Sequence, residues 1–160
     1  MISNSFNENG FNKHNINNIN NINNINNINK KNKFDKNDLF KACENNEIIK
    51  VVNLLHYGID INSTTDSGNT ALYISTKFKN KSLVEYLIEN GADINQQNNK
   101  GMTSLHIAAL YGYVDIVMLL VKNNANMNIE CNKKLIPLNY ALMSRTESHT
   151  LIIKLLINKT

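Results

Sequence analysis

Four histidines and two cysteines are the first residues of this 160-residue chain to test for chemistry: His14, His56, His106, His149, Cys43 and Cys131. A zinc site needs ligands about two and three to five residues apart, so that one turn delivers them together. No Cys/His set in the sequence approaches that spacing, and His149 has no partner at a metal-ligand interval. A nucleophile needs a base within hydrogen-bond reach. Ser104 and His106 are two residues apart, so on a helix they point in different directions. Asp60 and Asp93 recur at a fixed interval, which suits a repeated turn better than an acid–base pair. Gly68 and Gly101 recur in the same way and form no phosphate-cradling loop. Cys43 falls among small apolar residues, where a thiol is inert. Cys131 falls in a loop, where it is expected to be more exposed, with no cation beside it to lower its pKa. These residues predict no enzyme, no metal and no cofactor.

The elements that hold these residues repeat. Self-comparison from Phe34 onward finds one dominant offset, 33 residues. Asn62 to Leu72 lies over Asn95 to Leu105, and Val84 to Asn95 lies over Val117 to Asn128. Small and apolar residues recur at i, i+3 and i+4, the spacing of one buried helix stripe. In the first helix of each unit these are Leu39/Ala42/Cys43, Leu72/Ser75/Thr76, Leu105/Ala108/Ala109 and Leu138/Ala141/Leu142. In the second helix they are Val51/Leu54/Leu55, Val84/Leu87/Ile88 and Val117/Leu120/Val121. Gly58, Gly91 and Asn124 share the column where a helix ends in a left-handed residue. Thr70 and Thr103 stand where a hydroxyl can cap a helix, and Pro137 stands in a first turn. A turn and two helices at this period predict a solenoid.

Composition sets the rest apart. The chain has 33 asparagines, 14 of them in the first 30 residues. Residues 15–29 place an isoleucine at every third position, a period that fits neither helix nor strand. Residues 1–33 are therefore expected to be a disordered, low-complexity segment. The net charge of +4 concentrates there, because Lys13, Lys30, Lys31 and Lys33 face only Glu8. Residues 34–160 carry 13 basic and 12 acidic side chains, too balanced for a nucleic-acid footprint. No apolar run approaches the length of a membrane span, and the first ten residues lack the apolar region of a secretory signal. An intracellular protein is expected, cytoplasmic or nuclear.

Gly101, Thr103-Ser104-Leu105-His106-Ile107-Ala108-Ala109, Gly112, Ile116-Val117 and Leu119-Leu120 together resemble the ankyrin repeat. The resemblance implies an all-α fold, an ankyrin-repeat solenoid of stacked helix–turn–helix units with connecting loops and short β-turns. It spans residues 34–160 in four units, about 34–61, 62–94, 95–127 and 128–160. The first lacks the Thr-Pro-Leu-His motif and looks like a cap. The fourth replaces the loop glycine with Lys134, the threonine with Ile136 and the histidine with Asn139, and its inter-helix turn is three residues longer. The resemblance gives His106 a hydrogen-bonding role between adjacent units.

What it implies for function is protein binding through loop tips and first-helix ends. By column, the loop tips supply Asp66, Asn69, Asn99, Lys100 and Met102. The helix ends supply Lys77, Phe78, Leu110, Tyr111 and Met143. Phe78, Leu110, Tyr111 and Met143 are large apolar residues outside the buried stripe, as expected of an interaction hot spot. The expected partner is a protein of unknown identity, with no nucleic acid and no membrane. The rival reading is a structural or truncated piece of a larger array with no partner of its own. The final helix is nearly all apolar from Leu151 to Ile157, which predicts weak self-association.

Overall fold

The computed structural model describes residues 34–158. The Asn/Ile segment 1–33, expected to be disordered, lies outside the described residues. Among the described residues there are eight helices in four pairs and no strand. The pairs are α1 (Lys36–Glu44) with α2 (Ile48–His56), α3 (Ala71–Lys77) with α4 (Lys81–Glu89), α5 (Ser104–Tyr111) with α6 (Val114–Lys122), and α7 (Pro137–Leu142) with α8 (Glu147–Ile157). The first helices stack α1 on α3 on α5 on α7, while α4, α6 and α8 stack in a second layer. No helix among the described residues is long and apolar enough to cross a membrane.

The two stripes meet between the layers. Leu39, Leu72, Leu105, Val51, Leu54, Val84, Leu87, Val117 and Leu120 are all essentially inaccessible. Ala42, Ala108 and Ala141 beside them are fully covered, so small side chains let adjacent first helices approach closely. One position of the expected stripe departs. Leu142 is 55% exposed, whereas Cys43, Thr76 and Ala109 in the same column are buried. That column faces the following unit, and no described unit follows α7.

Left-handed residues fall in three columns of turns. Gly58, Gly91 and Asn124 end the second helices at φ +94°, +89° and +64°. A second column, Asn46, Lys79 and Gly112, turns the chain between the helices of units one to three at φ +56°, +59° and +72°. A third, Gly68, Gly101 and Lys134, closes the loops that join units. Those three loops share one hairpin geometry. Thr65, Asn98 and Cys131 donate their N–H to the carbonyls of Asn69, Met102 and Leu135 at 3.0, 3.0 and 2.9 Å. The fourth unit thus keeps the turn without the glycine, at the cost of a lysine in the left-handed region.

Asparagine and histidine link successive inter-unit loops and neighbouring units. Asn62 Oδ1 accepts the Asp93 N–H and Asn95 Oδ1 accepts the Asn126 N–H, both at 2.8 Å. At the loop tips, Asn99 Nδ2 donates to the Asp66 carbonyl at 2.9 Å and Asn132 Nδ2 to the Asn99 carbonyl at 3.0 Å. His106 sits at 0% exposure. Its Nδ1 accepts the Thr103 N–H at 3.1 Å and its Nε2 reaches the Leu135 carbonyl at 3.1 Å. The expected inter-unit role of His106 is thereby met, with Nε2 as the protonated nitrogen. Asn139 repeats half of it, since its Oδ1 accepts the Ile136 N–H at 2.9 Å.

His149, which has no metal-ligand partner in the sequence, lies in the first turn of α8 and has a structural partner instead. His149 is buried, and its Nε2 lies 3.1 Å from the Leu110 carbonyl at the end of α5. Asn80 makes the matching tether from unit two to the Cys43 carbonyl at 2.7 Å, and Tyr113 reaches the Lys77 carbonyl at 3.5 Å. Adding 33 to Tyr113 gives Thr146, and the three inserted residues move the tether to His149. A Cβ on Gly112 would stand 2.8 Å from the His149 ring, so the imidazole closes over the glycine.

Candidate binding groove

Tyr73, Met102, Ile107, Cys131 and Tyr140 form a second apolar cluster, with Leu110 and Leu135 packed against it. It lies beside the main core and is contributed by units two to four. Two expectations are corrected here. Met102 is only 8% exposed, because it turns into this cluster instead of standing on the loop tip. Cys131 is 4% exposed, buried rather than open, because its loop folds back onto α7.

The Cys131 thiol lies 3.3 Å from the Tyr140 hydroxyl. Burial pushes the thiol pKa up, but the Tyr140 hydroxyl and the backbone around Leu135, Lys133 and Cys131 itself outweigh it, so the net shift is downward. The same hydrogen bond, ahead of burial, drives Tyr140 up to about 12. Hydrogen bonding to the thiolate therefore supplies what the absent cation would have supplied. Cys43 is the opposite case: burial, helped by the Glu44 carboxylate and only partly offset by a hydrogen bond with Ser75, drives its thiol up to about 11.

Above the cluster a groove of about 490 Å³ opens between the loop tips of units two and three and the ends of α3 and α5. Tyr73, Met102, Ile107 and Leu110 form its apolar side. Asp66, Asn69, Asn99 and Lys100 line it from the loops, and Lys77 and Tyr111 from the helix ends. The structure thus brings together eight of the ten residues proposed from sequence. Phe78 stands next to Lys77 at the end of α3, and Met143 follows α7; neither lines the groove.

Phe78, Tyr111 and Met143 are exposed by 45, 46 and 63%, while Leu110 is half-buried against the apolar cluster. Tyr113 was not singled out in the sequence, yet its ring lies 5.5 Å from that of Tyr111. Lys77 Nζ sits 5.5 Å from the Phe78 ring centre, and Lys79 Nζ sits 5.3 Å from that of Tyr113. Tyr111, which lines the groove, thus stacks with Tyr113 just outside it, and two ammonium groups sit against the neighbouring Phe78 and Tyr113 rings. Repeat spacing alone could have flagged Tyr113, since it shares a column with the tethering Asn80.

The loop side is held by its own hydrogen bonds. Asn98 Nδ2 donates to Asn69 Oδ1 at 2.8 Å, and Asn99 donates its N–H to the Ser67 carbonyl at 3.1 Å. Among the described residues, the ion pairs Lys50–Glu47 and Lys134–Glu130 lie outside the groove. Among the described residues, no group of three His, Cys, Asp or Glu side chains is placed to hold a metal.

A family model for ankyrin repeats in three copies matches residues 8–98 and again 83–160. The first match begins inside the Asn-rich segment, ahead of the first repeat column at Phe34. The chain matches none of the curated proteins.

Proposed function

Because the chain belongs to the ankyrin-repeat family, we propose that it is a protein-binding module that carries out no reaction of its own. Ankyrin repeats generally mediate protein–protein interactions. The observation that carries the reading here is the groove between loop tips and helix ends, with Tyr111 nearly half exposed on its edge and Phe78 beside it. Large rigid rings of this kind give contact area at low entropic cost and dominate binding energy at interfaces.

The test compares capture of proteins by the full chain and by its Phe78→Ala/Tyr111→Ala variant. Both substitutions remove exposed atoms, so the variant should melt within a few degrees of the parent. A partner retained by the parent and lost by a folded variant supports the reading. Partners that bind both equally refute the groove as the binding surface.

A second surface favours weak self-association. Leu142, Met143 and Leu151 are exposed by 55, 63 and 47% around the last helix pair. Large apolar side chains exposed together on one helix pair tend to be covered by a protein contact. Light scattering over a concentration series checks it, and a monomer at every concentration up to about 100 µM rejects it.

A further inference from the structure

The charges and rings around the groove restrict what can occupy it, and we propose that its ligand is an extended acidic peptide segment with a large apolar side chain. This rests on the groove being the protein-binding surface. An aromatic ridge by itself would suit a cationic ligand, because ring faces carry negative potential. Here Lys77 and Lys79 already lie over the Phe78 and Tyr113 rings. Of these, Lys77 lines the groove itself, so a cationic partner would meet its ammonium group there. Lys100 adds a second cation on the opposite side, and Asp66 is the one carboxylate among the residues that line the groove.

Neither Lys77 nor Lys100 is in an ion pair among the described residues. The neighbouring Asn side chains cannot neutralise them, and Asn98 and Asn99 are already bonded to Asn69 and to the Asp66 carbonyl. Acidic ligand side chains would therefore find an ammonium group on each side of the groove without displacing an existing ion pair. The apolar side made by Tyr73, Ile107 and Leu110 takes the large side chain. The groove runs between a polar row of loop residues and an apolar side, which suits an extended chain with backbone groups facing the loops.

Selection of random linear peptides displayed on phage, using the full chain as bait, tests this. Peptides enriched in Asp or Glu together with an aromatic or large aliphatic residue are expected. Synthetic versions should lose about fivefold in affinity for each of Lys77→Glu and Lys100→Glu, and weaken as salt rises. Tyr111→Ala separates the two levels of the argument. If enriched peptides depend on Tyr111 but carry no acidic bias, the groove reading stands and the charge inference fails. If they ignore Tyr111, the groove reading itself fails. Absence of any enriched peptide overturns the proposal, as does a fluorescent single-stranded oligonucleotide that binds the groove more tightly than the peptides.

Discussion

Replacing Gly101 with alanine should be among the most damaging single-methyl additions in the chain. Gly101 has φ +72°, where a side chain costs about 1–2 kcal/mol. A Cβ there would also stand 2.7 Å from the Asn132 backbone nitrogen and 3.0 Å from the Cys131 Cα. Both belong to the next loop, which is hydrogen-bonded back through the Asn132 N–H to the Lys100 carbonyl at 3.0 Å. Backbone cannot swing aside as a flexible side chain can, so overpacking should add about 1–3 kcal/mol. The total, about 2–5 kcal/mol, is a large share of a small domain's stability. Gly91→Ala is the control, with φ +89° and nothing within 4 Å of its Cβ. It should lose only the conformational part, about 1–2 kcal/mol. Urea denaturation of the three proteins reads the difference as a change in midpoint at constant slope. Equal losses for Gly91→Ala and Gly101→Ala would refute the argument, because loop-on-loop contact would then contribute nothing.

Three further outcomes are expected. His149→Ala should leave the Leu110 carbonyl unpaired and open a void over Gly112, costing about 1–3 kcal/mol; hydrogen exchange should show the loss concentrated in α7 and α8. Burial holds His106 below its ordinary pKa, only partly offset by the Leu135 and Ile129 carbonyls, so the unfolded chain takes up that proton first. Stability should therefore fall as pH drops through about 6.5, and His106→Gln should flatten the decline measured by thermal melts at stepped pH. Of the two thiols, Cys131 should react with a disulfide reagent before Cys43, whose pKa stands at about 11 behind full burial; mass mapping of partially labelled native protein decides the order.

The repeat was legible because its columns are local. Leu105, Ala108 and Ala109 declare a helix face within five residues, and Gly58, Gly91 and Asn124 declare its end. His106 could be placed because its motif is local and repeats with the unit, though its partner Leu135 lies 29 residues on. What escaped the sequence depended on contacts that spacing does not encode. His149 reaches Leu110 across 39 residues only because the inserted turn shifts the tether by three. Met102 shares a column with Asn69 and Leu135, and nothing in that alternation says which way an apolar loop residue turns. Lys79 takes a left-handed conformation that its residue type disfavours, so composition gave no signal for the turn between α3 and α4. Leu142 was assigned to a buried stripe because the column is buried wherever a following unit exists.

Asparagine looks like a liability for a packed fold, since it competes with helix hydrogen bonding. In the repeat region its use is positional. Asn62, Asn95, Asn98, Asn99 and Asn132 all stand in loops, and each bonds the neighbouring inter-unit loop there. Short polar side chains of one length, one period apart, lock each loop tip to the next. The loop side of the groove is therefore ordered before any ligand arrives, while Asn80, Tyr113 and His149 fasten the helix-end side. Ordering both sides in advance reduces what binding must spend on immobilising loops. A double substitution of Asn99 and Asn132 to alanine should therefore weaken peptide capture more than it lowers the melting temperature of α5 and α6. A loss of affinity no larger than the loss of global stability predicts would show that the ladder serves folding alone.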